Sequence, residues 1–250
     1  MYEMLPGRRP PDFPPGLPSD AVVAYAFLQA KVQFKMPYFD SEEPVDFRDA
    51  SGSTTKIRTF GVRHKDRSSK FELRTQMSVL FVGKRGPSSG FEPAEFAVDL
   101  CRRCNPVQVV FARVNPGETL ATTLDDLQRK IDQGPPSSHK SGNLEHNDIL
   151  LVPDMHWRIA HDFESLMKGT IENRAMAGFP MVVARQDLHF RLDRSGANLE
   201  SQSRHIALCA PLVLKPSGPF LVYMKKRRAA RPFFVMWVAN AELLRRHWKS

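Results

Sequence analysis

The stretch AVVAYAFLQAKVQF, Ala21 to Phe34, is apolar almost without interruption until Gln29, and it closes in alternation before Pro37. A run of this kind is read as a strand covered on both faces in a large sheet. A buried helix shows the same run, but the closing alternation and the proline favour the strand. Before it, Pro6, Pro10, Pro11, Pro14, Pro15 and Pro18 with Gly7 and Gly16 exclude helix and central strand, leaving an extended lead-in. After it, Met77, Val79 and Phe81 alternate as a half-buried strand, and Val107 to Val114 is β-branched and aromatic, so sheet dominates the first half.

Helical period enters at Leu124, Leu127 and Ile131, with Thr123 and Asp126 three apart, which predicts a capped amphipathic helix over 123–132. Asp132 to Asn147, with Gly134-Pro135-Pro136-Ser137-Ser138, has loop composition. Ile149 to Val152 predicts a strand ended by Pro153, and Asp162 predicts a cap for a helix that carries Phe163, Leu166 and Met167 and stops at Gly169. Leu188, Phe190 and Leu192 alternate. Pro219–Tyr223 and Pro232–Val238 flank the basic turn Lys225 to Arg231, predicting a hairpin.

The chain has 250 residues, 42% of them hydrophobic, enough for a sizeable core. No run approaches the roughly 18 apolar residues of a membrane span, and Met1 to Pro6 has no apolar signal core. Three cysteines cannot all pair, so a fold built on disulfides is not expected. The net charge of +9 favours association with acidic partners without naming one.

Several constellations invite chemical readings. Cys101-Arg102-Arg103-Cys104 has the spacing of a redox pair or half a zinc site, but no second pair completes four ligands, so the metal and cofactor expectation is none. His156 and His161 near Asp162 suggest acid–base chemistry, and Gly86-Pro87-Ser88-Ser89-Gly90 a nucleophile loop; neither has the accompanying motif of a known catalytic site. An enzyme is not expected. Lys225, Lys226, Arg227, Arg228 and Arg231 form a basic cluster suited to a polyanion, nucleic acid or acidic glycan, and Arg245-Arg246-His247-Trp248-Lys249 is a second one.

The order of the pieces resembles the C-terminal two thirds of a serpin. The central strand leaves through Phe34, Pro37 and Tyr38 toward Phe47 and Gly52, similar to the family's pattern after its long central strand. Val152-Pro153, His156 to Ile159 and Asp162 to Gly169 resemble its proline-led strand and following helix, and Asp193 to Gly196 its step into the reactive-centre loop. Pro219 to Tyr223 and Phe233 to Val238 resemble its final hairpin, the best single match. Ala26, Val32 and Phe34 stand where the family has asparagine, glycine and tryptophan, and the family's N-terminal helices have no counterpart.

The resemblance implies an α+β fold of large antiparallel β-sheets with a few peripheral helices, one truncated serpin-like domain over 1–250. It also implies a serine or cysteine protease as partner. It places a reactive-loop hinge at Gly196, Ala197, Asn198, Leu199, Glu200 and Ser201, and a scissile region near Cys209, Ala210 and Pro211. Inhibition in the family requires the cleaved loop to enter the central sheet as a new strand. Asn198, Glu200, Gln202 and Arg204 share one parity, which would put four polar groups on one face of that strand, and a proline just after the cut position suits few serine proteases. The implied function is a non-inhibitory relative, with a basic polyanion-binding module as the alternative.

Overall fold

The computed structural model describes residues 22–31, 34–63, 70–84, 91–102, 106–134, 142–145, 147–169, 171, 174–194 and 212–247. The proline-rich lead-in lies outside them. The apolar run that opens the argument is strand β1 (Val22–Lys31). It forms a three-stranded sheet with β10 (Met155–Asp162) and β11 (Met181–Leu192), in the order β1-β11-β10.

By contacts the chain divides into a smaller unit, residues 1–29 and 158–189, and a larger one, residues 30–157 and 190–250. In the smaller unit Val22 N donates to Pro180 O at 2.9 Å and Phe163 N to Ala184 O at 2.7 Å. Among its described side chains only Ala184 and Asp187 are buried, while Ile159, Leu166, Met176 and Phe179 are exposed.

The core belongs to the larger unit. Its five-stranded sheet has the order β14-β13-β8-β7-β6, from β6 (Ser78–Val82), β7 (Phe96–Asp99), β8 (Val107–Arg113), β13 (Phe220–Lys226) and β14 (Phe234–Val238), each pair antiparallel. The register aligns Ala97 with Ala112, Ala112 with Leu221, and Val110 with Tyr223. Because side chains alternate, this face of small residues and Leu221 receives Leu127, with Leu124 and Ile131 beside it, from helix α2 (Leu120–Asp132). The opposite face is aromatic: Phe111 meets Phe96 and Phe220 edge-on, each at 5.4 Å, and Phe220 meets Phe47 at 6.1 Å. All four rings are fully buried. Each contributes on the order of 2–3 kcal/mol through area removed from water.

A second sheet in this unit has the order β12-β9-β5-β2, from β2 (Phe39–Asp40), β5 (Thr59–Val62), β9 (Ile149–Pro153) and β12 (Val213–Leu214). β12 runs parallel to β9, and the other two pairs are antiparallel. β5 and β9 approach so closely that a Cβ at Gly61 would fall on the Leu150 carbonyl. Phe34, Tyr38 and Phe60 cluster at this sheet, and the Tyr38 hydroxyl donates to Leu100 O at 2.8 Å. β3 (Val45–Arg48) and β4 (Thr54–Ile57) form a separate hairpin closed at Gly52, whose φ of 91° suits a residue without Cβ.

Four expectations are corrected. Residues 70–76 form a helix, α1, in the half of the chain where sheet is expected to dominate; Leu73, Arg74 and Gln76 are buried on it. α2 begins three residues before the predicted start, because Thr119 is its cap and makes a reciprocal capping box with Thr122. Thr123 lies inside that helix, its hydroxyl donating back to Thr119 O at 2.8 Å. The short helix α3 (Glu164–Met167) has Phe163 at its cap position with no side-chain bond, and Asp162 is the last residue of β10. Lys225 and Lys226 lie in β13, so the turn of the final hairpin starts at Arg227.

Candidate functional site

The expected loop region is framed by two fixed ends, and the intervening residues Gly196 to Ser201 and Cys209 to Pro211 lie outside the described residues. At its start, β11 ends at Leu192 and Asp193 takes the Arg191 guanidinium. Tyr38 N then donates to Arg194 O at 3.0 Å, and the Arg194 guanidinium pairs with Asp40 at 3.2 Å. Residue 194 is thus held beside β2, one edge of the four-stranded sheet.

At its end, the chain enters β12, the other edge of that sheet. Asp148 supplies the anchor. It is buried; one carboxylate oxygen accepts Leu212 N at 2.7 Å and the other accepts Glu145 N at 2.7 Å. Ile149 N donates to Leu212 O at 2.8 Å and Val213 N to Phe91 O at 3.1 Å. The backbone carbonyl of Asp148 in turn accepts from buried Arg74 at 3.1 Å. Desolvation pushes the Arg74 pKa down to about 10, against the opposing attraction of Asp148.

A second cluster holds the strand just after the anchor. Glu92 accepts from Arg113 and from the Ser217 hydroxyl, and Lys215 lies 3.0 Å from it. Arg113 also bonds the carbonyls of Pro93 and Ala94. Burial pushes the Glu92 carboxyl up, but the bonds from Ser217, Arg113 and Lys215 outweigh it and hold the pKa below its ordinary value.

The basic hairpin residues separate by role. The Arg227 guanidinium pairs with buried Asp99 at 2.9 Å and bonds Cys101 O, closing the β7–β8 turn. Lys226, Arg228 and Arg231 are exposed and Lys225 is half-buried. Of the catalytic candidates, Asp162 faces Arg185 at 3.6 Å and His161 packs edge-on against Phe163 at 4.5 Å. Residues 86–90 and Cys104 lie outside the described residues, and Cys101 is disulfide-bonded. Among the described residues no group of His, Cys, Asp and Glu is arranged to hold a metal ion, and no helix is long and apolar enough to cross a membrane.

Asp148, Glu92, Arg113 and Ser217 were not singled out in the sequence. Asp148 carried a signal, an acidic residue directly before the apolar strand Ile149–Val152. The Glu92–Ser217 pair is 125 residues apart and left none.

No protein-family model matches the chain, and no curated protein matches it. Among solved structures it is similar to the crystal structure of Serpin48, described as a highly specific serpin of the insect Tenebrio molitor, with a TM-score of 0.49 and 12% identity. The match covers 86% of this chain and 55% of that one, so the chain spans about half the length of that serpin. The architecture is α+β, mostly sheet with few helices among the described residues.

Proposed function

We propose that residues 1–250 are a single serpin-like domain of the serine protease inhibitor family, acting as a protease-cleavable binding partner, not as an enzyme, and impaired in loop insertion. The observation that carries this reading is the frame. Arg194 and Leu212 are pinned at opposite edges of one four-stranded sheet, with 17 residues between them. At ~4.8 Å per strand spacing, the crossing from β12 past β2 to Arg194 is roughly 20 Å. A chain of that length extends to about 55 Å, so the segment has more than twice the length the crossing needs. Connections this long are uncommon in compact domains and are either functional or linker segments.

The insertion partner strands, in the family's manner, are β1 and β11, which are adjacent in their sheet. A strand entering between them brings the Asn198, Glu200, Gln202 and Arg204 parity onto one face. Burying two of these as unpaired charges costs several kcal/mol each, comparable with the roughly 5–15 kcal/mol that holds a whole domain. Cleavage without insertion is the expected outcome.

The test is incubation with trypsin-like and subtilisin-like serine proteases and a papain-like cysteine protease. Cleavage within 195–211, with no SDS-stable complex and no rise in melting temperature, supports the reading. A stable complex, or a marked rise in melting temperature after cleavage near Cys209, means that the loop inserts and that the impairment is wrong. Resistance of 195–211 to every protease removes the protease-partner reading altogether.

A further inference from the structure

A cleft of about 580 Å³ opens in the larger unit between the C-terminal segment and the turn after β2. One wall is a two-stranded ribbon. Ile57 pairs with Arg246, Arg58 N donates to Arg245 O at 2.8 Å, and His247 N donates to Lys56 O at 2.9 Å. In that antiparallel register Lys56 stands opposite His247 and Arg58 opposite Arg245, all four on the same face of the ribbon. Arg58 and Arg245 are like charges set directly across the strand pair, and these repel. Asp154, mostly buried, offsets them by taking Arg245 at 3.1 Å. Arg58 and Arg245 are exposed on that face and line the cleft together with His247.

The facing wall, Asp40, Ser41 and Glu42, limits what can enter. Asp40 is already paired with Arg194, which leaves Glu42 exposed at the rim. A long polyanion laid across the cleft runs over that carboxylate, whereas a compact oxyanion seated on the arginines meets only its field.

We propose that this cleft is a binding site for a small tetrahedral oxyanion, a phosphate or sulfate group, gripped by Arg58 and Arg245 with His247 as a further donor. Guanidinium forks match the oxygens of such a group two at a time, and the ligand relieves the repulsion built into the ribbon. The site is separate from the basic hairpin and does not depend on the protease reading.

The test is calorimetric titration of the full chain with pyrophosphate, inorganic sulfate and a heparin oligosaccharide at low ionic strength, comparing wild type with R58Q, E42Q and the hairpin variant K226Q/R228Q. Saturable binding of pyrophosphate or sulfate, weakened about tenfold in R58Q, is expected. E42Q tightens it severalfold, a gain that misfolding cannot imitate. The hairpin variant leaves it unchanged. No binding by wild type, loss in the hairpin variant with R58Q unaffected, or heparin binding that E42Q leaves unchanged while the small ions do not bind, each overturns the proposal.

Discussion

Replacing Asp148 by asparagine probes the anchor on which the framed segment depends. The native carboxylate accepts two backbone N–H groups, each at 2.7 Å, from Leu212 and Glu145, in a site almost closed to water. A hydrogen bond to a charged acceptor contributes about 1.5–3 kcal/mol, and a buried donor left unsatisfied costs ~1–3 kcal/mol. Asparagine keeps one acceptor oxygen and turns its amide NH₂ toward the other donor. One charged bond therefore becomes neutral and one is lost, for an expected cost of about 3–4 kcal/mol. In a chain of this size that lowers the melting temperature by ~6–16 °C. Amide exchange identifies the site, since Leu212 and Ile149 should lose protection while Val110 and Tyr223 in the five-stranded sheet stay protected until global unfolding. A loss below 1 kcal/mol, or equal deprotection of both sheets, would refute the assignment of Asp148 as the local anchor.

Three further outcomes are expected. Because the Glu92 pKa is lowered in the fold, its contribution to stability is present above its ordinary value of 4.5 and is lost as pH falls through the lower folded value. Glu92→Gln should therefore flatten the acid limb of the stability–pH curve and, by turning the charged bonds from Arg113 and Ser217 into neutral ones, cost about 1–3 kcal/mol at neutral pH, both read by urea denaturation across pH. Gly61→Ala sets a Cβ against the Leu150 carbonyl and should part β5 from β9, abolishing soluble expression or lowering the melting temperature by more than 10 °C on the order set by strand loss. Leu127→Ala opens a void where α2 meets the sheet and should cost ~2–5 kcal/mol by the same denaturation assay, with α2 amides exchanging fastest.

What the sequence disclosed follows the reach of each signal. That the opening run is a strand, the alternation in β11 and the pairing of β13 with β14 were legible because periodicity and turn chemistry act locally. The expected place of β1, covered on both faces in a large sheet, is corrected: it is an edge strand of a three-stranded sheet, with Val22 and Val23 half-buried and Ala24 exposed. The amphipathic face of α2 was legible from its local period too, but its start was displaced: Thr119 and Thr122 cap it reciprocally, while Thr123 and Asp126, three apart, mimic a cap one turn later. α1 was missed because Lys70 to Gln76 is a single pair of turns in which Leu73, Arg74 and Gln76, buried together, show no long apolar stripe. The basic hairpin read as one uniform patch until Asp99, 128 residues from Arg227, was found to engage one of its members. The loop frame was legible at its exit, where Asp193 stands, and hidden at its return, where Asp148 acts across 64 residues.

β13 lies between β8 and β14, and β12 lies against β9, so everything after residue 211 is interleaved with strands that precede residue 194. A single cut between the anchors would sever the polypeptide without separating its parts. The C-terminal fragment, 39 residues or more, would remain as a tightly held peptide, two bands under denaturing electrophoresis and one particle in native mass spectrometry. The domain is, in that sense, a natural split protein: residues 212–250 supplied in trans offer a handle for fragment complementation, and a label on that peptide would report assembly of the five-stranded sheet.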